Sequence, residues 1–409
     1  MVWGIFRNNQ SDFSVSLFHD EKLYRKLYRF FYQSKKNYGI TVTFLRFFKA
    51  ISGDEVEKWR IDIIVIRYPE FFNLIRSRLM TKKEYFPWCF GANFYPSTAI
   101  NQLEMWHEET FDPVTIDREL AYGENIGMTI MRVYLHDLLW LQDRDGFLKR
   151  MEQFLAIAES HGIRIMFTFF DDCWNDRFAL GKQPEPKPFT HNSGWVQSPG
   201  AAAADDLAQR SRLEEYVKGV LTHFAKDDRI LLWDLYNEPG NGASGDHITK
   251  CLRVERSLPL LKDVFKWARE VKITQGITAG IWKWTAEFNN LNRFMLDHSD
   301  IVTFHSYMPP EENRECTLEI IKEACGRQVL CSEYMARTRG NTFKDCLPQF
   351  RELNVSAVNW GLVAGKTQTI FPWGWNKEKG MPEKFFHDIF NPDGTFLYPE
   401  EKEVFDKIR

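Results

Sequence analysis

ILLWDLYNEPG, residues 230–240, is an apolar run that stops at Asn237-Glu238-Pro239-Gly240. Such continuous apolarity suits a β-strand covered on both faces, as in a parallel sheet clothed by helices. Proline has no N–H for a ladder, so the run ends in a turn at its C-terminal side. A carboxylate placed at the end of such a strand can be a turn residue or a reagent. Its neighbours in the fold decide which.

Outward from this run, seven others of the same kind follow or precede it: PWCFGANFY (87–95), MTIMRVYL (128–135), RIMFTFF (164–170), ITAGIWKW (277–284), DIVTFHSY (300–307), QVLCSEY (328–334) and VSAVNWGLV (355–363). Segments with helical spacing lie between them. Leu148, Met151, Leu155 and Ala158 precede Gly162, and Leu213, Tyr216, Val217, Val220, Leu221 and Phe224 share one face, with further helices expected over 259–274 and 315–325. Eight strands alternating with helices predict a (β/α)₈ barrel over residues 80–409. A doubly wound sheet usually has fewer strands and an early glycine-rich loop. The stretch from Asp171 to about Ala204, with Trp174 and Trp195 among Pro, Gly and Ser, is too long for a plain connection and is expected to fold over the barrel mouth.

Residues 1–79 do not fit the alternation. FLRFFKAISG and IDIIVIRY are apolar fragments without an evident partner, and EKLYRKLYRFFYQSKK is a basic, aromatic helix candidate. This N-terminal extension reads as a packing or dimerisation segment, a membrane-surface helix, or upstream sequence ahead of a true start at Met80, the last being preferred. It is net basic, whereas the chain as a whole carries −3. That balance gives no large basic field, so nucleic acid is not an expected partner. Seven cysteines without a CxxC pair fit reduced thiols better than a disulfide framework. The polar start lacks the apolar stretch of a signal peptide, and no segment reaches the roughly 18 apolar residues of a membrane span. A cytoplasmic location is expected; the oligomeric state is left open.

In a barrel of this type the reactive groups gather at the C-terminal ends of the strands. The fourth run delivers Glu238 there, and the seventh, ending Ser332-Glu333-Tyr334, delivers Glu333. Two carboxylates facing one another across a site are what glycosidic bond cleavage needs, one to protonate the leaving oxygen and one to attack or to activate water. Taken singly, each also reads as a turn or loop residue. The aromatic share, 15% with 14 tryptophans, adds rings that a sugar cleft can use.

Together these residues resemble clan A of the glycoside hydrolases, the cellulase-like barrels, over about residues 86–400. The resemblance rests on the Asn-Glu pair ending the fourth strand, the Glu ending the seventh, Arg132 in IMRVYLH, His305 and Tyr307 in TFHSYM, and Trp360 in VNWG. It implies a retaining hydrolase of β-glycosidic bonds, with Glu238 as acid/base and Glu333 as nucleophile, carboxyls roughly 5–5.5 Å apart. It further implies that Arg132 keeps Glu333 ionised at neutral pH, that Tyr307 donates to Glu333, that His305 contacts sugar or the acid/base, that Asn237 binds a 2-hydroxyl, and that Trp360 floors the −1 sugar. The third strand departs from the pattern: where several members carry a histidine, this chain reads Phe169-Phe170-Asp171-Asp172-Cys173-Trp174. Asp171, Asp172 and Trp174 are therefore substrate-binding candidates, although acids at a loop start are commonly caps. Asn93, Tyr95 and Ser97 end the first strand, and the last loop offers Lys366, Gln368, Trp373 and Trp375, of which Trp373 is a binding candidate.

Competing readings are few. Gly361 to Thr367 resembles a phosphate loop but has one residue too few between its glycines. No HExxH, Cys/His cluster or calcium loop is present, so no metal or other cofactor is expected. A carbohydrate-binding barrel that has lost turnover remains an alternative. So does an enzyme of phosphorylated metabolites, for which Arg337 and Arg339 in MARTRGN would be needed. The loops after the third and fourth strands favour a pocket and exo action.

Overall fold

The structure, a computed structural model, describes residues 84–241 and 247–409, with residues 247–253 and four segments of the first 80 described by backbone alone. The chain divides into two compact units, Met1–Met80 and Thr81–Arg409. In the first, strands β1 (Ile5–Asn8), β2 (Asp12–Leu17), β3 (Val42–Ala50) and β4 (Lys58–Val65) form an antiparallel sheet in the order β1-β2-β4-β3. The two apolar fragments that lacked an evident partner pair with each other, Leu45 opposite Ile63 and Phe47 opposite Ile61. The basic helix candidate lies outside the described residues.

The second unit is a (β/α)₈ barrel. Its strands are β5 (Phe90–Asn93), β6 (Ile130–Tyr134), β7 (Arg164–Asp171), β8 (Ile230–Asn237), β9 (Gly276–Thr278), β10 (Val302–His305), β11 (Val329–Glu333) and β12 (Ser356–Trp360). All neighbours run parallel, and β12 pairs with β5, Trp360 opposite Asn93. Closure between β9 and β10 rests on one bridge, Ile281 to Phe304, with Ile281 N–H donating to Thr303 C=O at 3.0 Å and His305 N–H to Ile281 C=O at 2.8 Å. The fifth run is thus a shorter strand than its apolarity suggested. β5 and β6 approach so closely that a side chain at Gly91 would put its Cβ 1.6 Å from the Ile130 carbonyl oxygen.

Helices α1 (Gln102–Trp106), α2 (Pro113–Asn125), α3 (Asp137–Ser160), α4 (Ala201–Asp205), α5 (Arg210–His223), α6 (His247–Glu270), α7 (Asn289–His298), α8 (Pro310–Glu323), α9 (Phe343–Glu352) and α10 (Lys402–Ile408) surround the sheet. The helical periodicity translates directly into packing: Met151, Phe154, Leu155 and Ala158 of α3, and Leu213, Tyr216, Val217, Val220 and Leu221 of α5, are all fully buried. Each large apolar side chain so placed stabilises the fold by roughly 1.5–3 kcal/mol. The helix expected from residue 259 begins instead at His247 and carries Pro259 inside it. Proline's fixed φ is itself helical, so the ring costs one backbone bond and a local clash. Burial of Leu260, Leu261 and Val264 outweighs that loss.

Inside the barrel the N-terminal end is sealed by Phe86, Ile130, Met166, Leu232, Ile301, Leu330 and Val358, a separate apolar cluster. The long segment after β7 returns along the mouth, bridging Asp171 to Ser198 and Asn175 to Val196. Among the described residues, no helix is long and apolar enough to cross a membrane. The six cysteines with described side chains are free thiols.

Candidate active site

Side chains on a strand alternate, so residues two apart share a face. On β6 that rule carries the lumen face from Ile130 at the apolar seal to Arg132 and then Tyr134. Arg132 is fully buried and has no exit to water, so its guanidinium must be satisfied locally. It is. Asp234 of β8 accepts from Nη2 at 2.5 Å and from Nε at 2.9 Å, Asn237 Oδ1 accepts at 2.6 Å, Asn93 Oδ1 at 2.8 Å, and Glu333 Oε1 at 2.9 Å. One cation therefore ties together the ends of β5, β6, β8 and β11.

Glu333 closes β11 and is 5% exposed. Besides Arg132, Tyr134 OH donates to its Oε1 at 3.1 Å, and Tyr307 OH donates to its Oε2 at 2.9 Å. Glu238 follows β8 with φ 44°, a left-handed backbone that a non-glycine residue seldom adopts. His305 Nδ1 lies 2.7 Å from its Oε1, while the thiol of Cys173 at 3.2 Å and the amide of Asn241 donate to its Oε2. Glu238, His305 and Glu333 each contribute an atom to a triangle with no edge longer than 4.8 Å.

Burial pushes the Glu238 carboxyl up, against hydrogen bonds from Cys173 and Asn241 that pull it down. Burial also raises Glu333, and the nearby Glu238 carboxyl raises it further; His305, Arg132 and the Tyr307 hydroxyl oppose them. Arg132 was expected to leave Glu333 low. It does pull in that direction, but its charge is shared with Asp234, which it meets through two nitrogens, so burial prevails. His305 is held down to about 4, again by burial, so the ring is neutral at pH 7. Among the described residues its Nε2 has no partner, and it faces Gly280, whose absent Cβ would lie 3.1 Å away. The single N–H then belongs at Nδ1, against Glu238.

Of the residues singled out in the sequence, Arg132, Asn237, Glu238, His305, Tyr307 and Glu333 converge in this one cluster. Trp360 closes β12 beside it, 6% exposed, packed against Tyr95, Tyr134 and Trp195. Trp174 and Trp373 stay 42% and 40% exposed at the mouth, free to meet a ligand; Trp373 stands edge-on to Tyr307 at 5.1 Å. The two acids at the end of β7 are placed differently from the expectation of sugar contacts. Asp171 is 1% exposed and accepts from Asn237 Nδ2 at 2.9 Å and from Trp195 Nε1 at 2.8 Å, so it orients Asn237. Asp172 accepts from Tyr236 OH, Gly240 N–H and Ser257 OH, and so pins the loop that carries Glu238. Gln368 and Trp375 likewise tie their loop, to Phe189 N–H and to Gly380 C=O. Arg337, which a phosphate site would need, is buried and spent on Glu401 and on the carbonyls of His387 and Asp388.

Tyr134, Asp234, Cys173 and Asn241 were not singled out beforehand. Two of them carried a signal: Asp234 is a lone acid in an apolar strand, which must find a buried cation, and Tyr134 shares its face with Arg132.

The fold is also that of known enzymes. The chain is similar to an exo-β-1,4-mannosidase, Op5Man5, from Opitutaceae bacterium strain TAV5, with TM-score 0.51 and 16% identity over 80% of this chain and 62% of that one. It is similar to a GH5_18 protein from Bifidobacterium longum, solved with Manβ1-4GlcNAc, with TM-score 0.53 and 16% identity over 78% of both chains. In sequence, 96 residues are 26% identical to a probable mannan endo-1,4-β-mannosidase A of Aspergillus clavatus, a match covering 22% of this chain and 23% of that protein. The model of cellulase, glycosyl hydrolase family 5, matches residues 98–363, most of the barrel that holds the paired glutamates, and the chain belongs to that family.

Proposed function

We propose that the protein cleaves a β-glycosidic bond in an oligo- or polysaccharide with retention, by double displacement. Glu333 attacks the anomeric carbon while Glu238 protonates the departing oxygen; water then cleaves the glycosyl-enzyme with Glu238 as base. The carrying observation is the closeness of the two carboxylates, an oxygen of each lying within 4.8 Å of the other. Retaining enzymes hold the two carboxyl groups roughly 5–5.5 Å apart, whereas inverting enzymes leave room for a water between them. Their surroundings differ in the sense the roles demand. Glu333 is gripped by a guanidinium and two phenols, which position an anion. Among the described residues Glu238 meets no guanidinium but a neutral imidazole, a thiol and an amide, so it can change protonation state as Glu333 gains and loses charge.

Asn237, fixed between Arg132 and Asp171, is the group for the 2-hydroxyl, and Trp360 the floor of the −1 sugar. β-Mannosides are the substrates to try first, since relatives of the chain include mannosidases.

Intact-protein mass spectrometry after incubation with 2-deoxy-2-fluoro glycosyl fluorides of several sugars tests this. One added glycosyl mass on the wild type, mapped to Glu333 and missing from Glu333→Gln, is the expected result. If no sugar labels the protein and none of the panel is hydrolysed, the carbohydrate-binding alternative takes its place.

A further inference from the structure

Resting on the retaining-hydrolase reading, we infer that Cys173 is a positioning residue for the acid/base, its thiol holding the carboxylate of Glu238 and biasing when that group gives and takes its proton. The residue lies where the third strand departs from the family pattern. Its backbone N–H donates to Asp171 Oδ1 at 2.9 Å, which fixes the turn after β7. Its Sγ lies 3.2 Å from Glu238 Oε2, and 3.4 Å from the amide nitrogens of both Asn237 and Asn241.

The direction of the thiol hydrogen follows by elimination. Arg132 can only donate, so the Asn237 atom that faces it is the oxygen, and the NH₂ must face Asp171 and Cys173. Asn241 presents its NH₂ to Glu238 and to Cys173. Both amide nitrogens donate toward sulfur, and of the carboxyls beside the thiol, Asp171 and Glu238, it is Glu238 Oε2 at 3.2 Å that lies in line to accept the one S–H. Burial and the Asp171 and Glu238 carboxyls push the Cys173 thiol well above its ordinary value, so the proton stays on sulfur and the group is not a thiolate nucleophile.

A hydrogen bond donated to the charged form of an acid favours that form. Among the described residues, the groups that face Glu238 are Cys173 after β7, His305 from β10, Glu333 from β11, Arg132 from β6, Lys283 after β9, and Asn241 on its own loop. Among them Cys173 is a weak donor that also accepts. It favours the carboxylate modestly, which suits a group that must be an acid in one step and a base in the next. Without it, Glu238 is expected to hold its proton to higher pH and to lose a tether on Oε2.

The test compares wild type, Cys173→Ala, Cys173→Ser and Glu333→Gln on aryl β-glycosides whose leaving groups span a range of acidity. For Cys173→Ala, the basic limb of kcat/KM should move to higher pH, with a loss of about 10-fold confined to poor leaving groups that need protonation. Cys173→Ser, which puts a stronger donor in the same place, should bring the limb below the wild-type position. An unchanged limb in Cys173→Ala, or an equal loss on good and poor leaving groups alike, overturns the role. Should Cys173→Ala fail to fold, the serine variant decides alone: a limb identical to wild type overturns the inference, a shift to lower pH supports it. Failure of the underlying reading looks different, because then the wild type and Glu333→Gln would be indistinguishable on every substrate.

Discussion

The two ends of the barrel lumen are built by the same strands and obey opposite rules. At the N-terminal end Ile130, Met166, Leu232, Leu330 and Val358 meet only one another and a few more apolar side chains. One turn of the pleat further, the same strands supply Arg132, Asp234 and Trp360, and the mouth gathers buried acids around the fully buried Arg132. The lower layer needs no partners and stabilises by volume and area alone. In the upper layer every charge must be answered by a specific neighbour, and Asp171, Glu238 and Glu333 there are raised by burial, which is costly for folding and useful for proton transfer. Damage at the bottom should therefore appear as lost stability, damage at the top as lost or displaced activity.

The comparison breaks most sharply at Glu238. Glu238→Ala should lower kcat/KM by about 10²–10⁴-fold on substrates with poor leaving groups, while its melting temperature stays near that of the wild type, as steady-state kinetics and calorimetry together would reveal. At the other end, Leu232→Ala should cost about 2–5 kcal/mol of unfolding free energy. Its pH–rate profile should stay where it was. A displaced profile in that variant would mean that the two layers are coupled, contrary to the division drawn above.

Arg132→Lys sharpens the contrast within the upper layer. A lysine carries one point charge and cannot address Asp234, Asn237, Asn93 and Glu333 together. Glu333 should then rise further, and the acidic limb of kcat/KM should move to higher pH by about one unit. A limb that stays in place would show that the phenols of Tyr134 and Tyr307 set the nucleophile's charge.

Asp388 offers the mildest test. It is fully buried, its carboxyl meets the Thr369 hydroxyl through Oδ2, and burial pushes that carboxyl up to about 7. Its folded value lies above the ordinary one, so the stability it contributes is complete in acid and is lost as pH rises toward about 7. Asp388→Asn should remove that part of the pH dependence, leaving thermal stability flatter between mildly acidic and neutral pH. Equal slopes in the two proteins would show that the carboxyl finds a compensating partner.

Much of this site was legible without coordinates, because its principal residues end strands and strand ends are local events. Apolar runs announce where a strand stops, and the residue at the stop is at the mouth: Glu238, Glu333 and Tyr307 follow from that alone. What was not legible concerns meetings across the lumen. Asp171 looked like a sugar contact until Asn237 and Trp195 claimed its oxygens. Trp195, in the stretch expected to fold over the mouth, is itself fully buried. Register shifts at Ile165/Met166 and Phe304/His305 change which side chain faces inward, and no periodicity foretells them.

The sequence by itself thus determined the barrel, its strand count and the two carboxylates at its mouth, since hydrophobic period and strand punctuation are properties of contiguous residues. Only the tertiary structure decided that Arg132 divides its charge between Asp234 and Glu333, that burial lifts both glutamates in spite of it, and that a cysteine lies against the acid/base. Those outcomes depend on distances of about 3 Å between residues far apart in the chain, where electrostatics and desolvation compete on nearly equal terms.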